Sequence, residues 1–160
     1  TFSMSGGAVS GNTASSYGNG GGGVYVGGTF SMSGGAVRDN TLSDTYNYGR
    51  EVLVYGTFNM SGAAWPQQVF LYDNTRYITI AGPLSGPVIP IDLGVTTTIP
   101  LTGYVNVAIL KLDSSYSGNL ASLKAQFTLG NTKMMESPYT EEAITGYTIN
   151  DSGKFVAVSP

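Results

Sequence analysis

TFSMSGGAVRDNTLSDTYNYGREVLVYG, residues 29–56, follows without a gap a near copy of itself, TFSMSGGAVSGNTASSYGNGGGGVYVGG, residues 1–28. The two segments share 17 of 28 positions, whereas chance would give roughly two. A third copy begins at Thr57 with TFNMSGAAW, and a degraded fourth begins near Tyr77 with YITIAG. Repetition at this period predicts an array of stacked structural units whose pattern fades toward one end.

Each unit carries the alternation of short β-strands. TFSM places Phe2 and Met4 on one face and Thr1 and Ser3 on the other, and VYV at 24–26 alternates likewise. The AV of GGAV is a third short apolar step, and Gly-Gly, Ser-Gly-Asn and Gly-rich turns separate the three. Three strands joined by bends predict an all-β chain, in which each unit of about 28 residues is one coil of a single-stranded parallel β-helix.

Stacked coils would bring equivalent side chains into columns about 4.7–4.9 Å apart. Asn12 and Asn40 share one turn position, which predicts a side-chain amide ladder. The apolar columns, which we expect inside, are Phe2, Phe30, Phe58 and Ile78; Met4, Met32, Met60 and Ile80; Val24 and Val52; Val26 and Val54; and Val9, Val37 and Trp65. Tyr25 is expected to point outward.

The C-terminal part changes character, because all seven prolines lie at Pro66 or later. We expect β-helix repeats over 1–100, with units near 1–28, 29–56 and 57–76 and a degenerate unit from 77, and a β-rich cap over 101–160 that covers an open strand edge. The elements expected beyond the repeats are strands at 88–93, 97–101 and 104–112, a short helix at 119–127 with Ser117 as N-cap, and a hairpin around Asp151-Ser152-Gly153.

Composition excludes several classes of function. A net charge of −3 with seven dispersed Lys and Arg argues against nucleic acids and anionic membranes, and no apolar run reaches the length of a membrane helix. The chain has no His and no Cys, which excludes a Ser-His-Asp triad, disulfides, thiolate sites and imidazole metal sites. We therefore predict no catalytic, cofactor or metal site.

The carboxylates and the glycine run also have structural explanations. Glu141-Glu142 are expected in a solvated loop or helix start, and Asp73 and Arg76 as a surface pair at a turn. A β-helix lyase would need acids aligned on one face, whereas the acids of the first three units are spread over turns and strands; they are Asp39, Asp44, Glu51 and Asp73. The run 19–23, Asn followed by four Gly, lacks the Lys and Ser/Thr of a phosphate loop and is expected to allow close approach of coils.

Several of these motifs resemble one family. GGAV followed by SGNT or RDNT, TFSMSGG, and GGGVYV resemble the repeats of bacterial cell-surface β-helix proteins, including polymorphic outer-membrane proteins, autotransporter-like passengers and "MSGG…SGNTA" repeat proteins. The resemblance covers about residues 1–82, and the segments 126–130 and 146–155 resemble the sheet-rich ends of such arrays. It implies a right-handed coil, an extracellular or cell-surface location and an adhesive or structural role.

The predicted function is a non-enzymatic structural or adhesin module, the C-terminal part of a longer repeat protein, with host glycans or matrix proteins as partners. Ice binding is one alternative, because a flat rank of outward hydroxyls resembles the binding face of antifreeze solenoids. A β-helix carbohydrate-active enzyme is the other. The predicted surface-binding rank consists of Thr1, Ser3, Thr29, Ser31, Thr57 and Asn59.

Overall fold

The computed structural model describes residues 1–15, 20–43, 49–137 and 139–158. These residues are mostly in strands, with a short α-helix, α1 (Leu120–Leu123), and 3₁₀ turns at Leu101–Tyr104 and Lys124–Gln126. In chain order the strands are β1 (Phe2–Ser10), β2 (Thr13–Ala14), β3 (Val24–Val26), β4 (Thr29–Arg38), β5 (Thr41–Leu42), β6 (Val52–Val54), β7 (Thr57–Gly62), β8 (Trp65–Pro66), β9 (Val69–Leu71), β10 (Ile78–Leu84), β11 (Ile89–Val95), β12 (Leu110–Leu112), β13 (Phe127–Met134), β14 (Glu141–Ala143), β15 (Tyr147–Ile149) and β16 (Phe155–Ala157).

Two parallel sheets contain most of these strands. The first, which we call sheet 1, has the order β1-β4-β7-β10-β12, with β8 also paired to β4. The second, sheet 2, has the order β3-β6-β9-β11-β13 and ends with β14, which is antiparallel. Strands β2 and β5 form a separate short parallel pair. Along the chain, the strands of the main ladders alternate between sheet 1 and sheet 2, so the prediction of an all-β, parallel-paired chain is confirmed.

The register of sheet 1 follows the sequence repeat. Phe2 pairs with Phe30, Phe30 with Phe58, and Phe58 with Ile78. The Phe2 and Phe30 rings stack at 5.0 Å and 9°, and the Phe30 and Phe58 rings at 5.1 Å and 11°. In the methionine column, Met4 pairs with Met32, Met32 with Met60, and Met60 with Ile80. Leu112 pairs with Ile80 and extends this column by one strand. The predicted Phe and Met columns of sheet 1 are therefore confirmed.

Sheet 2 repeats the pattern with aliphatic side chains. Val24 pairs with Val52 and Val52 with Val69, as predicted for the first of these pairs. The inward residues of both sheets belong to one buried cluster, so the core lies between the sheets. Tyr25 is 52% exposed on the outer side, also as predicted. The folding energy of this core comes from apolar area removed from water on facing surfaces of two parallel ladders.

Three details of the repeat region differ from prediction. TFSM and GGAV form one strand with an irregularity after Met4, rather than two separate strands. Phe2, expected inside, is 48% exposed because β1 is the last strand of sheet 1 and its outer edge has no neighbour among the described residues.

The prediction of Trp65 over Val37 is wrong. Val37 pairs with Pro66, and Trp65 pairs with Ala36. A turn closed by the Ala64 amide donating to the Ser61 carbonyl at 3.3 Å shifts this part of the third unit by one position. Ala64 is buried as a result, while Trp65 is only partly buried.

The C-terminal elements differ more from the sequence-based expectation. Of the expected strand at 104–112 only β12 forms, and the strand expected at 97–101 is replaced by a turn and the 3₁₀ turn at Leu101–Tyr104. The Tyr104 ring is buried and its hydroxyl donates to the Gly94 carbonyl at 2.6 Å, which fixes the end of this 3₁₀ turn against β11. Asn119, not Ser117, caps α1, accepting from the Ala121 amide at 2.9 Å.

The predicted hairpin is confirmed as β15 and β16, with Gly153 at φ 72°. Glu141 and Glu142 lie in β14 rather than in a loop or helix start, and they are exposed. Both parallel sheets continue past residue 101, through β12 and β13. The division into repeats over 1–100 and a cap over 101–160 remains a prediction.

Replacing Phe30 by Ala should lower the free energy of unfolding by about 3–5 kcal/mol, because a cavity would open between two stacked rings. Phe2→Ala is the matched control, since it removes the same side chain from the same column where that side chain is 48% exposed; its cost should be much smaller. Urea titration followed by circular dichroism measures both. Equal costs for the two substitutions would contradict the assigned interior.

Candidate functional site

A hydroxyl-lined groove follows the outer face of sheet 1. Ser3 pairs with Ser31 and Ser31 with Asn59, whose Nδ2 donates to Ser31 Oγ at 3.3 Å. The groove has a volume of about 300 Å³, and its polar lining among the described residues includes Ser3, Ser5, Ser31, Ser33, Asn59 and Ser61. We call it the hydroxyl groove.

The structure brings together half of the predicted surface rank. Ser3, Ser31 and Asn59 lie in the hydroxyl groove, while Thr1, Thr29 and Thr57 lie outside its lining. Thr29 and Thr57 pair with each other, and Thr1 precedes β1 and is exposed. Half of the predicted rank therefore lies inside a concave groove and half outside it, rather than all six side chains forming one flat hydroxyl plane.

Asp113 adds a negative charge to the hydroxyl groove. Hydrogen bonds from the Ser115 hydroxyl and the Ser115 amide, at 2.6 and 2.9 Å, hold the pKa of this carboxyl below its usual value. Asp113 is therefore ionised at neutral pH, and its Oδ1 already accepts both of these local hydrogen bonds.

A second, larger cavity lies where the chain passes from sheet 1 to sheet 2, and we call it the corner cavity. Its volume is about 460 Å³. The amide and carboxyl side chains in its lining include those of Asn40, Glu51, Gln67, Gln68, Asp92 and Asn131. The repeat places Asn40 just after β4 and Glu51 just before β6, whereas Asp92 and Asn131 come from β11 and β13, outside the clear repeats.

Asn40 and Glu51 form the inner wall of the corner cavity. They are 1% and 2% exposed. The Asn40 backbone amide donates to both Glu51 oxygens, at 3.2 and 3.3 Å, and Asn40 Nδ2 donates to Glu51 Oε2 at 2.6 Å. Asn12 Nδ2 in turn donates to Asn40 Oδ1 at 3.0 Å, which confirms the predicted amide ladder. A buried carboxylate is tolerated here because amide donors surround it.

Glycine makes room for this wall in the first unit. Gly23 occupies the position that Glu51 holds one unit later, since Val24 pairs with Val52. A Cβ atom on Gly23 would lie 2.7 Å from Asn40 Nδ2 and 2.7 Å from the Glu51 carbonyl oxygen. The expectation that the glycine run allows close approach of neighbouring units is confirmed at this position; Asn19 of the same run lies outside the described residues.

Asp92 forms the other wall. It is 5% exposed; its Oδ2 accepts from Gln68 Nε2 at 2.5 Å and its Oδ1 from the Asn131 amide at 2.8 Å. Burial raises the pKa of Asp92 to about 6 and the charge of Glu141 adds to the rise, while the two hydrogen bonds and the charge of Arg50 oppose it. The protonation of this carboxyl therefore changes closer to neutral pH than that of an ordinary aspartate.

Sequence reasoning missed this cavity as a site. The sequence identifies Glu51 only as a carboxylate near a turn, and the alternation of Ile89, Ile91 and Leu93 predicts that Asp92 points outward. Asp92 does lie on the outer row, paired with Phe70, but β13 then covers it. Only the long-range pairing of β11 with β13 reveals its burial.

The remaining predicted acids behave as expected. Asp73 accepts from Arg76 Nε at 3.4 Å as a turn-flanking ion pair, and Asp39 forms an exposed ion pair with Arg38. Asp44 lies outside the described residues. Within the described ranges, no group of three or more His, Cys, Asp or Glu residues is arranged to hold a metal ion.

A cluster of tyrosines lies on the outer surface beside sheet 2. Tyr25 and Tyr55 stack at 6.4 Å, Tyr72 meets Tyr55 edge-on at 4.8 Å, and the Arg76 guanidinium lies 4.9 Å from the centre of the Tyr55 ring. The Tyr55 ring contacts Tyr25, Tyr72 and Arg76, and the cluster remains accessible to solvent because Tyr25 and Tyr55 are exposed.

No protein family, curated protein or solved structure matches this chain. None of the helices among the described residues has the length and apolar character needed to cross a membrane.

Lowering the pH from about 7 to 4 should stabilise the protein through Asp92. Its folded pKa of about 6 exceeds the ~3.9 of an unfolded aspartate, so the folded chain binds a proton more readily in this window. The contribution is largest below the unfolded pKa and is lost as pH rises through about 6. The full change is about 3 kcal/mol, of which about 2 kcal/mol falls between pH 4 and 7, because the unfolded carboxyl is already about half protonated at pH 4.

Comparison of the parent protein with Asp92→Asn isolates this contribution, because exposed groups such as Asp113 titrate in both. Urea titrations at pH 4, 5, 6 and 7 measure the free energy of unfolding of each. The free energy of unfolding of the parent protein, relative to that of Asp92→Asn, should rise as the pH falls from 7 to 4. If the free energies of unfolding of the two proteins change with pH in parallel, the pKa of Asp92 is not raised by folding and the prediction is wrong.

Proposed function

We propose that this chain is a right-handed parallel β-helix module with a structural and adhesive role at a bacterial cell surface. The observation that carries the proposal is the alternation of successive strands between two parallel sheets, at a sequence offset of 28 residues in the first units. Alternation between two parallel ladders is what a helical path of the chain would produce, and crossovers between parallel strands are right-handed in about 98% of cases.

A stacked array of this kind suits a spacer. Each unit buries its apolar columns against its neighbours, and the first units carry no charge before Arg38, so extension by further units repeats the same contacts.

The hydroxyl groove supports the adhesive part of the proposal. Its serine and asparagine side chains donate and accept hydrogen bonds and line a concave surface, as suits host glycans or matrix proteins. Binding through such a surface requires no converging titratable groups, in agreement with the dispersed charges of sheet 1.

Two alternatives have weaker support. Ice binding is favoured by the Ser3–Ser31–Asn59 column, but the concave groove and the amide at Asn59 interrupt a flat hydroxyl lattice. A carbohydrate-active enzyme is favoured by Glu51 and Asp92 in one cavity. Each of these carboxylates, however, already accepts hydrogen bonds from amide groups that hold it in place.

Insertion of a second copy of residues 1–28 between Gly28 and Thr29 tests the β-helix module. The added unit should supply one strand to each sheet, lengthen the particle by about 4.8 Å and leave the protein at least as stable. A matched control inserts 14 residues of the same sequence, which would put apolar columns against turns. Small-angle scattering and urea titration measure length and stability; unfolding by the 28-residue insertion would contradict the proposal.

The functional alternatives separate in three assays on the purified chain. We expect binding to immobilised mucin or matrix protein that weakens severalfold in Ser31→Tyr, which fills the groove, but not in Thr148→Tyr, an exposed position in β15. We also expect no thermal hysteresis and no turnover of pectin-like or mucin-like glycans. Ice shaping lost in Thr29→Tyr would establish the ice-binding alternative, and glycan cleavage lost in Asp92→Asn would establish the enzyme.

A further inference from the structure

We propose that the corner cavity is a binding site for an uncharged, hydroxyl-rich ligand, one or two sugar units of a neutral glycan. The site is separate from the hydroxyl groove and uses different residues. It rests on the contacts around Asn40, Glu51 and Asp92, and therefore does not depend on the helical path or on the cell-surface role proposed above.

The walls of the cavity are built before any ligand arrives. Glu51 and Asp92 are both more than nine-tenths buried, and each is fixed by hydrogen bonds from backbone and side-chain amides. Gln68 links the two neighbouring segments, because its Oε1 accepts from the Arg50 amide at 3.0 Å while its Nε2 donates to Asp92. A site held in this way loses little conformational entropy on binding.

Unused donors border these walls. Gln67 Oε1 accepts from the Asp39 amide at 2.9 Å, which orients the Gln67 side chain. The two N–H groups of Gln67 Nε2 can then donate to a ligand. Arg50 also lines the cavity and is exposed. Within the described part of the chain, no group accepts a hydrogen bond from Gln67 Nε2 or from the Arg50 guanidinium.

Acceptors lie beside these donors. A carboxylate offers about four lone-pair sites, and the two oxygens of Asp92 each accept one hydrogen bond within the described residues. The lining thus presents donors and acceptors in close succession, which matches hydroxyl groups, since each hydroxyl both donates and accepts. Pro90 and Gly130 supply apolar surface in the same cavity, as the carbon-bound hydrogens of a sugar ring require.

Charge and size narrow the ligand class. The lining contains three carboxylates, of Asp39, Glu51 and Asp92, against one guanidinium, of Arg50. Arg38 pairs with Asp39, which leaves two carboxylates against one guanidinium, and this remaining excess of negative charge disfavours uronic or sulfated glycans. The carboxylates are not grouped as metal ligands within the described residues. A volume of about 460 Å³ falls in the usual range for small-molecule sites.

Native affinity electrophoresis in gels containing a soluble polysaccharide tests the site. The neutral probes are galactomannan, xyloglucan, mixed-linkage β-glucan and dextran, and the anionic probes are polygalacturonate and heparin. We expect at least one neutral polysaccharide to retard the protein, and neither anionic one to do so.

Two variants assign the retardation to the corner cavity. Gln67→Glu keeps the acceptor for the Asp39 amide but removes both Nε2–H donors, and Arg50→Ala removes the guanidinium; each should weaken binding about tenfold. Thr148→Glu controls for added surface charge and should bind like the parent protein, whereas Ser31→Ala measures any contribution of the hydroxyl groove to the retardation. Circular dichroism and urea titration confirm that every variant is folded.

Three results would overturn the proposal: no retardation by any of the four neutral polysaccharides, retardation by the anionic ones instead, or retardation that Ser31→Ala abolishes and Gln67→Glu leaves intact. The last of these would move glycan binding to the hydroxyl groove. Failure of the 28-residue insertion would refute the β-helix module without affecting these gels, so the two proposals fail separately.

Discussion

In-register pairing of parallel strands is the constraint on which the other features of this protein depend. Ser3 lies beside Ser31 and Phe30 beside Phe58 because the backbones pair without slip at the start of each unit. A slip of one residue would turn Phe30 and Met32 outward and Ser31 inward, so the apolar columns and the register stabilise each other. The stacked phenylalanine rings add a contact that only equal positions in successive units can make.

The same register creates the polar interior. Asn12 and Asn40 meet because they occupy one position in two units, and Glu51 reaches Asn40 because Gly23 leaves space in the unit before. Where the repeat fades, Gln68 and Asp92 continue the line of amide and carboxylate contacts with different residues. Buried polar groups arranged in this way are satisfied by neighbours one strand away, which is how a narrow all-β core accommodates ionisable side chains.

The sequence predicts the repeat region well, because its signals are local or recur at one fixed offset. Alternation identifies the strands, and the repeat then pairs Phe30 with Phe58 and Val24 with Val52. Prediction from the repeat fails where a turn changes by one residue, because the turn after Ser61 moves Trp65 away from Val37. It fails again at Tyr104, whose burial depends on contacts with Gly94 and Phe155. The burial of Asp92 in the corner cavity is unpredictable for the same reason: β13 covers its side chain, and no local sequence pattern predicts that β13 pairs with β11.

Methyl NMR of the five methionines measures the register most directly. With only the methionine methyl groups labelled, the account predicts cross-relaxation between Met4 and Met32 and between Met32 and Met60, whose strands lie about 4.8 Å apart. It predicts none between Met4 and Met60, which are separated by a full strand. Substitution of each methionine by leucine in turn assigns the signals. Contact between Met4 and Met60, or absence of contact between Met32 and Met60 in the folded protein, would contradict the pairing of successive units.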